Sequence, residues 1–242
     1  MSIAYNVNAI TDSLITSIDF ANKKSSPLAG TSPITINDLS GNGYYWTTQN
    51  GCTINSCSVV LDGNASYIYS SNSNYQTAWS PSPGTYGGSA LTIELVFNSS
   101  DTSGYLVSRN WNGSGQYNYT MTSGSFGLFA NTNGTALGYP NVCTGTNVHM
   151  TWWISPTQYG VYQNGQVLVA ATNHGLSGYG ASSGSGGGGT LIGTLYPYGQ
   201  GWGGSTGFSV AGTYYLCRIY SRVLSADEVA KNFNATRGRF GL

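Results

Sequence analysis

The sequence predicts an all-β fold, a two-sheet antiparallel β-sandwich ending in one short C-terminal helix. Short runs with apolar residues at every second position recur along the chain, separated by clusters of Gly, Asn, Asp, Pro and Ser. Between two such runs stands Asn164-Gly165, a strong hairpin signal because a type I′ turn needs positive φ at both central residues. Near the end of the chain Ser225-Ala226-Asp227-Glu228 marks a helix start. There the Ser225 side chain can accept from the Glu228 N–H while Glu228 reaches back to the Ser225 N–H, a capping box. Asp227 and Glu228 also suit the positive end of a helix.

The elements follow in order. Ser13 to Phe20 reads as a first strand with Leu14, Thr16, Ile18 and Phe20 on one face. A polar loop runs through Pro27 and Pro33 to the turn cluster Asp38-Leu39-Ser40-Gly41-Asn42-Gly43, and Tyr44 to Thr48 resumes extended structure. Val59 to Leu61 enters a tight turn at Asp62-Gly63, and Tyr67 to Tyr69 leaves it. Leu91 to Phe97 is the clearest strand: Leu91, Ile93, Leu95 and Phe97 alternate with Thr92, Glu94 and Val96. Tyr105 to Ser108 pairs beside it, and Gln116 to Thr122 and Ser125 to Ala130 follow, broken at Gly124.

Asn147 to Ser155 is a strand on which Trp152 and Trp153 alternate, one into the core and the other outward. Tyr159 to Tyr162 and Gln166 to Ala171 flank the Asn-Gly turn. Gly175 to Gly189, nearly all Gly and Ser, reads as a flexible loop inside the fold, because strand signals resume at Thr190 to Gly193. A second loop, Tyr196 to Gly207, contains Trp202. The last strand ends at Arg218-Ile219-Tyr220 and turns over Ser221-Arg222 into the helix. With no internal repeat, the expectation is one domain over residues 1–242, with the Gly/Ser-rich loop 175–189 inside it and a short tail over residues 235–242.

Composition narrows the function. Of the 242 residues, 40% are hydrophobic and only 7% are charged, with zero net charge, so the surface is built from Ser, Thr, Asn, Gln, Tyr and Gly. Zero net charge and three lysines argue against nucleic-acid binding. No stretch approaches a transmembrane helix in length, and Met1 to Asn6 has neither the basic nor the apolar region of a signal peptide, so the expectation is synthesis and release in a cytosol. A neutral surface rich in 19 tyrosines suits a wet interface with sugars or proteins, or an assembly subunit whose neighbours cover it. Cys52, Cys57, Cys143 and Cys217 read as free, mostly buried thiols; Cys52 and Cys57 could bridge a short loop outside a cell.

The run from Gly212 to Leu242 resembles the close of laminin-G-like jelly-roll domains, a branch of the concanavalin A-like lectin/glucanase fold. Ser17-Ile18-Asp19, Asp38 to Gly43, Leu61-Asp62-Gly63, Leu91 to Glu94, the His149 to Tyr162 strand pair with Asn164-Gly165, and Leu191-Ile192-Gly193 fall in the same order as in that family. The resemblance implies a jelly-roll sandwich over nearly the whole chain. The start at Met1-Ser2-Ile3-Ala4-Tyr5 and the ending Asn234 to Leu242 are similar to free-standing versions of the domain in tailed phages of cyanobacteria. There the implied role is a virion structural protein, a capsid decoration or fibre component or an adhesin, assembled in the host cytoplasm. The partners implied are other virion proteins, further copies of itself and host glycans.

Glucanases on this fold use paired carboxylates, and the strand signature Glu-x-Asp-x-x-Glu is absent: Val96 stands two positions after Glu94. Glu94 then reads as a solvent-facing or loop-bonding strand residue, and Glu228, the other glutamate, as part of the helix cap. The expectation is therefore a protein without catalysis. Calcium has two candidate sites, Asp38 with Asn42 and Asp62 with Asn64, and the alternative is that each Asp holds its turn through backbone N–H groups. Trp111, Asn112, Tyr179, Tyr196, Tyr198, Gln200 and Trp202 fall in loops and could form a sugar platform or pack against neighbouring subunits.

Overall fold

The structure is a computed structural model that describes residues 9–27, 29–70, 90–110, 117–130, 133–175, 190–194 and 209–242. Its described strands form two sheets. In the first the order is β15 (Gln166–Asn173), β14 (Gln158–Gln163), β13 (Asn147–Ile154), β8 (Leu91–Asn98), β17 (Ala211–Tyr220), β6 (Ser58–Asp62), β5 (Thr53–Asn55) and β2 (Gly30–Thr31). β1 (Leu14–Asp19) joins it against the second half of β17, while β6 takes the first half. In the second sheet the order is β12 (Asn133–Gly138), β11 (Ser125–Ala130), β10 (Tyr117–Thr122), β9 (Tyr105–Asn110), β16 (Thr190–Ile192), β7 (Tyr67–Ser70), β4 (Tyr45–Gln49) and β3 (Thr35–Asn37). Every described pairing is antiparallel. The two-sheet antiparallel sandwich with a C-terminal helix is thus the observed fold.

The core lies between the sheets. Leu91, Ile93, Leu95 and Phe97 of β8 point into it together with Trp46, Ile68, Met121, Phe126, Trp152 and Tyr214. Phe97 and Tyr214 stack with their ring centroids 6.0 Å apart, a geometry that adds to the area that the rings bury. The alternate residues of β8, Thr92, Glu94 and Val96, are also fully buried, because the helix α1 (Ala226–Phe240) covers the outer face of the first sheet. Val96 there meets Ala21, Leu216 and Phe240.

α1 starts where its sequence dictates but runs on to Phe240, through residues expected as a tail, because Ala235, Thr236 and Phe240 are buried against the sandwich. The Ser225–Glu228 capping box is present, and Gly241 closes the helix in the left-handed region (φ 66°) with its N–H on Arg237 O. The Asn164-Gly165 turn has φ of 50° and 76°, as a type I′ hairpin requires.

Several expectations change. The proline-containing loop before Asp38 carries two short strands, β2 and β3, and strands β5 and β12 were not legible at all. Trp153 is 9% exposed instead of facing solvent, because it lies flat against Gly160, where an added Cβ would meet its Nε1 at 2.7 Å. Cys52, Cys143 and Cys217 are buried, and Cys57 is exposed; all four are free. Burial pushes the thiols of Cys52 and Cys143 up to about 11. The Gly/Ser loop from 176 to 189 lies outside the described residues.

Candidate binding faces

Glu94 contradicts its sequence reading as a solvent-facing residue. It is 0% exposed, on the outer face of the first sheet beneath α1. Its Oε1 accepts from Arg218 Nη1 at 2.9 Å and lies 2.6 Å from His149 Nε2. Its Oε2 accepts from Asn232 Nδ2 at 3.0 Å and from the Tyr220 hydroxyl at 3.4 Å. Burial alone would raise this carboxyl; Arg218, His149 and the bonds from His149 and Tyr220 outweigh it and hold the group below its ordinary range. A carboxylate filled on both oxygens and sealed from water cannot reach a glycosidic bond. The cluster instead ties β8, β13, β17 and α1 together.

The remaining described ion pairs share that side of the sandwich. Arg239 grips Asp19 through two bonds of 2.8 and 2.9 Å, fixing the end of α1 to β1. Arg222 joins Glu228 at 2.6 Å and Asp12 at 2.8 Å beside the start of the helix. A cleft between residues 9–11 and α1, lined by Ile10, Leu14, Leu39, Asp19, Arg218 and Arg239, has its charges matched by these pairs.

The calcium candidates hold turns. Asp38 Oδ1 accepts from Thr16 Oγ1 at 3.1 Å, Ser17 N at 2.6 Å and Ser40 N at 3.0 Å, and its Oδ2 accepts from the Ser40 hydroxyl. Asn42 Nδ2 donates to the carbonyls of Leu14 and Ile15 at 3.0 and 2.8 Å. Asp62 Oδ1 accepts from Asn64 N at 2.8 Å, an Asx turn. Among the described residues no group of three or more His, Cys, Asp or Glu could hold a metal ion. Trp111, Asn112, Tyr179, Tyr196, Tyr198, Gln200 and Trp202 all lie outside the described residues.

A surface that the sequence reading missed lies on the opposite side, on the outer face of the second sheet. Along β4 the residues alternate: Trp46 and Thr48 are fully buried, while Tyr45, Thr47 and Gln49 point outward. Register places Asn37 opposite Tyr45, Thr35 and Tyr69 on either side of Thr47, and Tyr67 opposite Gln49. Tyr67 and Tyr69 meet edge-on at 6.5 Å. Successive outward side chains on one strand stand about 7 Å apart and neighbouring strands about 4.8 Å apart, so Tyr45, Tyr69, Thr35, Thr47, Asn37 and Gln49 form a small grid, while Tyr67 at its edge is only 7% exposed. Tyr45 is 45% exposed. The period-2 pattern of Tyr45, Thr47 and Gln49 is the sequence signal that could have found this face.

No protein-family model matches the sequence, and no curated protein matches it. Solved structures do. The binding domain of botulinum neurotoxin serotype D/C aligns with a TM-score of 0.65 at 14% identity, covering 94% of this chain and 53% of that one. The binding domain of botulinum neurotoxin DC in complex with rat synaptotagmin II gives 0.64 at 14% identity, over 94% of this chain and 52% of the other. Trypanosoma rangeli sialidase gives 0.63 at 13% identity, over 96% of this chain and 34% of the sialidase. The chain shares its fold with these proteins. It spans about half the length of the toxin binding domains and a third of the sialidase.

Proposed function

We propose that this chain is a non-catalytic recognition module that attaches to glycan-bearing surfaces. The observation that carries the reading is the state of Glu94: the carboxylate on the central strand is sealed beneath α1 and saturated by Arg218, His149, Asn232 and Tyr220. The sandwich uses that position as a structural clasp. The likeness to toxin binding domains supports the same reading at the level of fold.

The test is a panel of soluble and insoluble polysaccharides with the purified protein, scored for retention and for release of reducing ends. Saturable retention without release is expected. Release of reducing ends, or no retention across the panel, overturns the reading.

A second reading places the module on a bacteriophage particle, as a capsid decoration or fibre component held by other virion proteins. A chain with 7% charged residues and zero net charge has weak protection from association, which suits a subunit covered by neighbours. Quantitative mass spectrometry of purified particles tests it. A fixed ratio to the major capsid protein means decoration, a few copies mean a fibre, and absence removes the particle from the account.

A further inference from the structure

We propose that the outward face of β3, β4 and β7 is the contact surface of this module and that it takes a neutral glycan, one without carboxylate or sulfate groups. The inference rests on the recognition reading above and adds its surface and its ligand class.

The geometry starts from Tyr45. The Tyr45 phenol ring is 45% exposed on its strand, so it offers a flat apolar face with a polar tip to a ligand. Its backbone is fixed on both sides by pairing of β4 to β3 and β7, so little ordering is left to do on binding. Such a ring covers the C–H face of a pyranose. Around it, the hydroxyls of Thr35 and Thr47 and the amides of Asn37 and Gln49 both donate and accept, as sugar hydroxyls do. Asn37 Nδ2 donates to Lys24 O at 3.3 Å, and its amide oxygen can accept.

Charge selects the ligand class. Thr35, Asn37, Tyr45, Thr47, Gln49 and Tyr69 include no carboxylate, guanidinium or ammonium side chain, and every described ion pair lies on the α1 side of the sandwich. An acidic glycan brought onto this face would lose hydration with no guanidinium or ammonium on the face to replace it. Lys23 and Lys24, both exposed, stand in the turn beside Asn37 and form only its rim.

The experiment compares wild type, Tyr45→Ala, Tyr45→Trp and a control, Val167→Ala, which alters an exposed apolar residue on β15 of the other sheet. Probes are a neutral glucan, a neutral galactomannan, alginate and dextran sulfate, with thermal melts to show that each variant is folded. Wild type, Tyr45→Trp and Val167→Ala are expected to bind a neutral glycan, and Tyr45→Ala to lose affinity by at least about tenfold with an unchanged melt. Neutral binding that is indifferent to Tyr45→Ala overturns the surface and leaves the recognition reading standing. Binding to alginate or dextran sulfate alone overturns the ligand class. Dimerisation that depends on Tyr45 without glycan binding makes a second copy the occupant and overturns the proposal. No binding to any glycan sinks both this inference and the reading beneath it.

Discussion

Asn232 of α1 donates to Glu94 Oε2 of β8 at 3.0 Å across 138 residues of sequence, and this amide ties the middle of the helix to the central strand. The same side chain donates to the Tyr220 hydroxyl at 2.9 Å and accepts from Ile10 N at 2.8 Å. The Tyr220 hydroxyl shares its one proton between Ile10 O at 3.2 Å and Glu94 Oε2 at 3.4 Å. Segments near both ends of the described chain are thus held to the central strands by a residue that is 1% exposed.

Asn232→Ala should therefore destabilise the fold by about 2–3 kcal/mol, since it leaves Ile10 N–H unpaired and takes one donor from a buried carboxylate. Glu94→Ala should cost more, about 3–5 kcal/mol, because it strands the Arg218 charge in a buried site. Urea denaturation measures both. A loss below about 1 kcal/mol in Glu94→Ala would show that the cluster relaxes into solvent.

Acid should loosen the start of α1. The bonds from Arg222, then those from Ser225, draw the Glu228 carboxyl down from 4.5 to about 2 against a smaller effect of burial. A folded-state value below the unfolded one contributes stability that is present above about pH 4.5 and is lost as pH falls toward 2. Glu94, also lowered, adds in the same direction. The urea midpoint should fall through this window, and Glu228→Gln should show a shallower fall than wild type. Parallel profiles for the two proteins would exclude Glu228 as a source of the acid sensitivity.

The bonds that Asp38 already accepts predict a turn whose stability is indifferent to calcium. With Thr16, Ser17 and two groups of Ser40 already donating to its oxygens, Asp38→Ala should cost about 1–3 kcal/mol. Millimolar calcium should leave the wild-type melting temperature where it is. A rise on adding calcium that vanishes in Asp38→Ala would reassign the turn as a metal site.

What the sequence made legible is what depends on near neighbours. The Ser225–Glu228 box and the Asn164-Gly165 turn involve residues within three positions of one another, and both appear as read. The inner face of β8 was legible because Leu91, Ile93, Leu95 and Phe97 keep a strict period of two. Glu94 was misread because a polar residue on the alternate face looks solvent-facing until something covers it, and the cover is a helix more than 130 residues away. β12 gives no alternating apolar signal in Asn133-Gly134-Thr135-Ala136-Leu137-Gly138; it exists because β11 offers an edge to pair with. The outward set on β4 was visible as an alternation, but only the pairing with β3 and β7 shows which residues stand beside it on the side away from Trp46.

The hairpin turn and the helix should also be coupled. Gly165 has φ 76°, and a Cβ there would stand 2.9 Å from Phe233 Cδ1. Phe233 lies 5.7 Å from the His149 ring, centroid to centroid, so it cannot retreat without disturbing the partner of Glu94. Gly165→Ala combines a left-handed backbone penalty of about 1–2 kcal/mol with displacement of the helix. Phe233→Ala removes the clash and leaves the backbone term. The double variant should therefore lose less stability than the sum of the two single variants, by roughly 0.5 kcal/mol or more. Strict additivity in denaturation would mean that the turn and α1 do not press on each other.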